Sequence, residues 1–181
     1  MDIKIVMITE NRLDTALFAG FRRYQQVTKC WRKVDGEWII IDTPFVEDWG
    51  KAEYEELVRD LKYTIKTGGV VYGAFDEGGR LVGFVSVENE LFGSKKQYIE
   101  LSSMHVSEDM RGAGIGKRLF LTAAKWAKER GAEKLYISAH SSVESQAFYK
   151  AVGCREAEEY SAYHVEKEPC DCQLELPLCE D

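Results

Sequence analysis

An α/β fold, built as a mixed but mostly antiparallel central sheet flanked by helices with an inserted β-hairpin near the amino terminus, is predicted by three observations. Short β-branched runs alternate with stretches whose apolar residues recur at helical spacing. Turn residues punctuate the boundaries, with Asp35-Gly36, Gly68-Gly69 and Gly78-Gly79 the clearest. No Pro, Gly or Ser linker and no internal repeat divides the 181 residues, and a chain of that length buries about two thirds of its unfolded surface, so residues 1–181 are expected to form one domain.

In chain order, Ile3 to Ile8 read as a strand, and Leu13, Leu17, Phe21 and Tyr24 fall on one face of a helix. Val27 to Val34 and Glu37 to Asp42 flank Asp35-Gly36, a dipeptide that accepts positive φ at both central positions of a two-residue turn, which predicts the hairpin. Tyr54, Leu57, Val58, Leu61 and Ile65 mark an amphipathic helix ended by Gly68-Gly69. Val70 to Phe75, Leu81 to Val87 and Tyr98 to Val106 follow as three antiparallel strands. A helix through Ile115, Leu119, Thr122 and Trp126 stops at Gly131, and Leu135 to Ala139 is a short buried strand. Ser141 and Glu144 make a capping box for a helix that ends at Gly153. Glu156 to Val165 and Gln173 to Leu178 read as closing strands, whose edges are compatible with pairing in a homodimer.

Composition excludes several classes of function. With 24 basic and 31 acidic residues the net charge is -7, against a nucleic-acid partner and in favour of a cationic one. No apolar stretch approaches the roughly 18 to 20 residues needed to cross a bilayer, and the amino terminus lacks a basic cluster ahead of an apolar run, so no membrane partner and a cytoplasmic setting are expected. The odd set Cys30, Cys154, Cys170, Cys172 and Cys179 suits reduced thiols. Cys170, Cys172 and Cys179 with His164 lack the two spaced pairs of common zinc sites, so no metal is expected.

The chemistry begins at Arg111-Gly112-Ala113-Gly114-Ile115-Gly116, between a strand and a long helix. Glycines here let backbone N-H groups at a helix start approach an anion, aided by the helix dipole. A P-loop is excluded because three residues, not four, separate Gly112 from Gly116, and Lys117 is followed by Arg118. A dinucleotide fingerprint is excluded because the loop runs G-x-G-x-G and the next strand ends at Ala139-His140 without an acid.

The loop resembles the acyl-CoA loop of the GNAT N-acetyltransferase superfamily, with Arg111, Gly114 and Gly116 at the patterned positions. Upstream, Met104-His105-Val106 resembles the family's hydrophobic-x-Val strand end. Downstream, Phe148-Tyr149-Lys150-Ala151-Val152-Gly153 resembles its F-Y-x-x-x-G helix, so the likeness spans about Val70 to Gly153. The resemblance implies the GNAT acyl-CoA N-acyltransferase fold and acetyl-CoA as cosubstrate, held by Met104, His105, Val106, the loop from Arg111 to Gly116, Lys117 and Ser142. It implies acetyl transfer to an amine acceptor. The alternative is a GNAT-fold module that binds acyl-CoA as a sensor without turnover.

Attack of an amine on a thioester builds an oxyanion, for which the backbone near Val106 is the candidate donor. A hydroxyl can give the departing thiolate its proton, and Tyr149 occupies the position that often does so in enzymes the chain resembles; Glu100, six residues before Val106, matches the position of the glutamate base of histone-type members and is the leading candidate base, with His105 and His140 as alternatives. Glu108 stands where the family often has proline, and Ser142 where asparagine is frequent. Trp31, Trp38, Phe45 and Trp49, set among Asp42, Glu47 and Asp48, are the candidates for contact with the acceptor, since aromatic faces and carboxylates hold ammonium groups.

Overall fold

The computed structural model describes residues 1–178. Seven strands form one sheet in the order β1-β4-β5-β6-β7-β9-β8. They are β1 (Lys4–Met7), β4 (Val70–Phe75), β5 (Leu81–Phe92), β6 (Tyr98–Val106), β7 (Lys134–Ala139), β8 (Arg155–Glu156) and β9 (Cys172–Pro177). Among the described residues only β6 and β7 pair in parallel, and every other neighbour in this sheet is antiparallel. The remaining strands, β2 (Tyr24–Val34) and β3 (Glu37–Asp48), pair with each other as the inserted hairpin. Asp35 (φ 51°) and Gly36 (φ 82°) occupy its turn, both left-handed, as a tight turn matched to strand twist demands.

Two apolar layers sandwich the sheet. Helix α2 (Ile115–Glu129) lays Ile115, Leu119, Phe120, Ala123, Trp126 and Ala127 against Val82, Val85, Val87, Ile99, Leu101 and Leu135. On the other face α1 (Lys51–Lys66) buries Leu57, Val58 and Leu61 against Phe18, Phe21, Phe75, Leu81 and Phe84. All seven residues from Leu81 to Val87 are buried, which explains why this stretch reads as a continuous apolar run rather than an alternation. Helices α3 (Val143–Ala151) and α4 (Ala162–Lys167) follow β7 and precede β9. Among the described residues no helix is long and apolar enough to cross a membrane.

Three expectations are corrected. Leu13 to Tyr24 is not one helix: a 3₁₀ turn, Glu10–Arg12, ends just before Leu13, and a second, Thr15–Phe18, follows. Leu13 turns extended, the Asp14 side chain restarts the second turn by accepting from the Leu17 N-H at 3.0 Å, and Tyr24 already belongs to β2. Leu13, Phe18 and Phe21 still enter the core, so the apolar spacing reported burial rather than continuous helix. Residues 156–165 are not a strand: pairing to β9 stops at Glu156, and Ser161 caps α4 instead. The cap of α3 is Ser142, which accepts from the Ser145 N-H, whereas the Ser141 hydroxyl accepts from Arg32 Nη1 at 2.7 Å.

Candidate active site

The parallel pairing of β6 with β7 lasts only from Tyr98 to Glu100. Past that point Ser102 is an extra residue on β6, because Val87 faces Leu101 while Ser86 faces Ser103. The Ser86 hydroxyl, buried, bonds both Ser102 (2.8 Å) and Ser103 (2.6 Å) and pins the bulge. The strands then part and leave a cavity of about 790 Å³, of a size that suits a cofactor-sized ligand.

One wall is the freed edge of β6. The Ser107 N-H donates to the Val82 carbonyl on the β5 side, so by strand alternation the peptide groups of Met104 and Val106 point the other way, into the cleft. Met104, His105 and Val106 all line it, and Arg111 Nε reaches the Val106 carbonyl at 3.4 Å. The loop that follows is anchored by Ser107, whose hydroxyl accepts from the Arg22 N-H and donates to Asp109. Glu108, at the position where proline was expected, donates its own N-H to the Arg22 carbonyl at 2.9 Å, a bond proline cannot form, and pairs with the Arg22 guanidinium at 3.0 Å.

Gly112 (φ 78°) and Gly114 (φ 76°) are left-handed, and a Cβ at either would meet no atom within 4 Å. They shape an open cradle at the start of α2, where Gly114 is the N-cap without a side-chain acceptor and the first N-H groups remain available. Gly116 differs: a Cβ there would lie 3.2 Å from the Phe148 ring, so its smallness lets α2 and α3 close together. Arg111, Ile115, Gly116 and Lys117 also line the cavity, whereas Ala113 is not among the lining residues.

The facing wall comes from Ile137, Ser138, Ala139 and His140 at the end of β7, from Glu144, Ser145, Phe148 and Tyr149 of α3, and from Glu168 and Asp171. Tyr149 packs against the rings of Phe120 and Phe148. Burial, reinforced by Cys154 and the Asp171 charge, pushes its phenol well above the usual range, which keeps the proton on the oxygen. Burial likewise raises the Asp171 carboxyl, with Glu168 and Glu47 adding to the effect, although the Ser138 hydroxyl donates to it at 3.1 Å.

Arg23, Gln25, Glu47 and Trp49 close the cleft from the hairpin side. The buried Arg23 donates to Glu47 Oε2 at 2.7 Å, to Gln25 at 3.1 Å and, through Nε, to His105 Nδ1 at 3.0 Å, while its guanidinium lies over the Trp49 ring. Burial and the Arg23 and Arg111 charges push His105 down to about 3, so the ring stays neutral. His140 Nδ1 accepts from the Ser142 N-H at 3.0 Å, which places the proton of a neutral ring on Nε2, 3.8 Å from Glu47.

The structure therefore gathers Tyr149, the β6 edge and the glycine loop around one cavity, but it does not bring every expected residue there. Glu100 bonds His164 Nε2 at 2.7 Å and is not among the lining residues. Ser142 is wholly buried and spent on the α3 cap. Of the four aromatic candidates only Trp49 lines the cavity, edge-to-face with His105 at 4.9 Å between ring centres. Phe45 packs on His140, Trp31 on the core, and Trp38 donates to Glu156 at 3.3 Å. Arg23, Glu168 and Asp171 were not anticipated as site residues; no local motif marks them, because the cleft is assembled from segments distant in the chain. Among the described residues no group of three His, Cys, Asp or Glu side chains could hold a metal ion, and Cys179 lies outside those residues.

Comparison with known proteins matches residues 36–154 to the model of the acetyltransferase (GNAT) family. Among solved structures the chain is similar to a nourseothricin acetyltransferase (TM-score 0.71, 15% identity, 99% of this chain and 100% of that one). It is similar too to a candidate streptothricin acetyltransferase from Bacillus anthracis strain Ames in complex with acetyl coenzyme A (TM-score 0.70, 20% identity, 100% of both chains). An aminoglycoside 6'-N-acetyltransferase complexed with coenzyme A is a further neighbour (TM-score 0.54, 17% identity, 74% of this chain and 83% of that one). No curated protein matches.

Proposed function

The chain belongs to the acetyltransferase (GNAT) family, which makes it an acetyltransferase with acetyl-CoA as donor, and we propose that its acceptor is a primary amine on a small cationic molecule. The observation that carries this reading is the acidic lining of the cleft beyond the β6 edge, where Glu47, Glu144, Glu168 and Asp171 line the same cavity as Tyr149. Carboxylates in a partly enclosed cleft favour an ammonium over a neutral or anionic acceptor. Neighbours named for nourseothricin, streptothricin and aminoglycoside acetylation are in keeping with such an acceptor. Trp49, the aromatic wall beside Arg23 and His105, is the group we assign to acceptor contact.

On the donor side, the N-H groups around Gly112 and Gly114, with Arg111 and Lys117, take the pyrophosphate, and the freed edge from Met104 to Val106 pairs with the pantetheine arm. The Val106 N-H stabilises the oxyanion that forms when the amine attacks the thioester carbon. As the C-S bond breaks, the Tyr149 phenol gives its proton to the departing sulfur. The reaction needs no covalent enzyme intermediate, because both substrates reach the same cleft. The free thiols Cys30, Cys154, Cys170 and Cys172 are in keeping with a cytoplasmic setting.

A thiol-release assay with acetyl-CoA and a panel of polyamines, aminoglycosides and streptothricin-type amines tests the reading. Thiol release with at least one polycationic amine, and none with neutral hydroxyl acceptors, is the expected result. Acetyl-CoA binding with no release from any amine would instead establish a sensor module.

A further inference from the structure

We propose that Asp171 is the general base that takes the proton from the acceptor ammonium. The inference rests on the acetyltransferase reading above and deepens it by assigning a catalytic residue.

An aliphatic amine is mostly protonated near neutral pH and cannot attack until it loses a proton, so the cleft must hold a group able to accept one. The other candidates are occupied. His105 Nδ1 receives the Arg23 Nε-H, and burial, with the neighbouring positive charges, holds the ring neutral with its remaining proton on Nε2. The His140 Nδ1 lone pair receives the Ser142 backbone N-H, leaving no free basic nitrogen on that ring either. Glu47 is committed to the buried Arg23 guanidinium at 2.7 Å. Glu100 is bonded to His164 away from the cavity wall. Glu144 and Glu168 line the cleft but are exposed, and water screens a carboxylate so placed.

Asp171 differs from all of these. It stands half-buried in the cleft wall at the start of β9, next to the end of β7, and the Tyr149 phenol feels its charge. The groups that face it are Glu168 on its own loop, Ser138 on β7, His140 beyond β7, Glu47 on the hairpin and Tyr149 on α3. Burial and the two neighbouring carboxylates raise its affinity for a proton above that of an ordinary aspartate, which is the direction a base working near neutrality requires. The protons balance as follows. One leaves the ammonium for Asp171 and then solvent. The neutral amine attacks the thioester carbonyl, the C-S bond breaks, and the sulfur takes the Tyr149 proton. The second proton on nitrogen restores the phenol, giving amide, free thiol and one released proton.

The test uses the full chain with its best amine and with an amine of low basicity that is already unprotonated at pH 7. Asp171→Asn should lower kcat/KM for the basic amine at pH 7 by about 100-fold or more, recover as pH approaches the pKa of the amine, and leave both acetyl-CoA affinity and turnover of the weakly basic amine nearly unchanged. Asp171→Glu should restore part of the loss. Ser138→Ala, which removes a hydrogen bond to the carboxylate, should move the acidic limb of the pH profile upward, and it reads the same group if the Asn variant folds poorly. An active wild type whose acidic limb is indifferent to these changes overturns the assignment while leaving the acetyltransferase reading intact. A wild type that turns over neither amine overturns both.

Discussion

The two walls of the cleft are built on different principles. The donor wall is mainly backbone, the β6 edge from Met104 to Val106 followed by the loop and helix start through Lys117, and all its parts lie within fourteen consecutive positions. The acceptor wall is made of side chains brought from the hairpin, the end of β7, α3 and the segment before β9. A backbone site serves a cosubstrate whose phosphates and amide arm do not vary, because peptide N-H and C=O groups bond them whatever the neighbouring side chains are. A side-chain site can be altered residue by residue without disturbing the loop, which suits it to setting acceptor specificity.

Substitutions should separate the two walls, beginning with the largest effect. Gly114→Val forces a β-branched residue to a left-handed φ and fills the open cradle, so acetyl-CoA affinity measured by calorimetry should fall by about 100-fold, given a strain of about 1 to 3 kcal/mol plus lost phosphate contacts. Tyr149→Phe should lower kcat at least several-fold, about 10-fold or more, while leaving acetyl-CoA affinity within about twofold. Because burial raises the phenol, the wild-type rate should hold as pH rises through the ordinary tyrosine value of 10.0 and fall only above it, a limb that the Phe variant lacks. Equal acetyl-CoA weakening in Tyr149→Phe would merge the walls that the structure keeps apart.

Trp49→Ala should raise KM for the acceptor by roughly 5-fold to 30-fold, the loss of about 1 to 2 kcal/mol of cation-π and packing contact, with no matching change for acetyl-CoA. Ser142→Ala should cost about 1 kcal/mol of stability in thermal or denaturant unfolding, as expected for loss of a helix N-cap, with a smaller effect on turnover. Smallest of all, Glu100→Gln should leave the acidic limb of the pH profile in place, since that carboxylate is bonded to His164 rather than to the cleft; a lost limb would return the base to β6.

What could be read beforehand follows the same division. The loop, the strand ahead of it and the F-Y helix are local patterns, and local patterns carry φ preferences, caps and spacing that survive without knowledge of the fold. Gly112 and Gly114 do adopt the left-handed backbone that only glycine enters readily. Ser142 was misplaced because a serine beside the substrate and a serine capping a helix look identical in sequence; which one it is depends on whether Ser145 N-H lies above its hydroxyl. Trp38 and Phe45 were grouped with Trp49 by proximity in the chain, yet strand alternation and the long β2-β3 ribbon send Trp38 toward Glu156 and Phe45 onto His140. Glu108 stands where the family often has proline because its N-H is needed on the Arg22 carbonyl, a pairing that only the tertiary contact reveals.

The sequence by itself determined the succession of elements from the hairpin to the end of α3, the hairpin turn at Asp35-Gly36 and the donor loop, because each depends on residues a few positions apart and on backbone energies of one to a few kcal/mol. Only the tertiary structure decided the acceptor side. Whether a carboxylate is a base, an ion-pair partner or a solvated surface group turns on burial and on neighbours far away in the chain: the pairing of β9 with β7 sets Asp171 at the end of β7, where Tyr149 feels its charge, whereas Glu100, inside the paired stretch of β6 and β7, is bonded to His164.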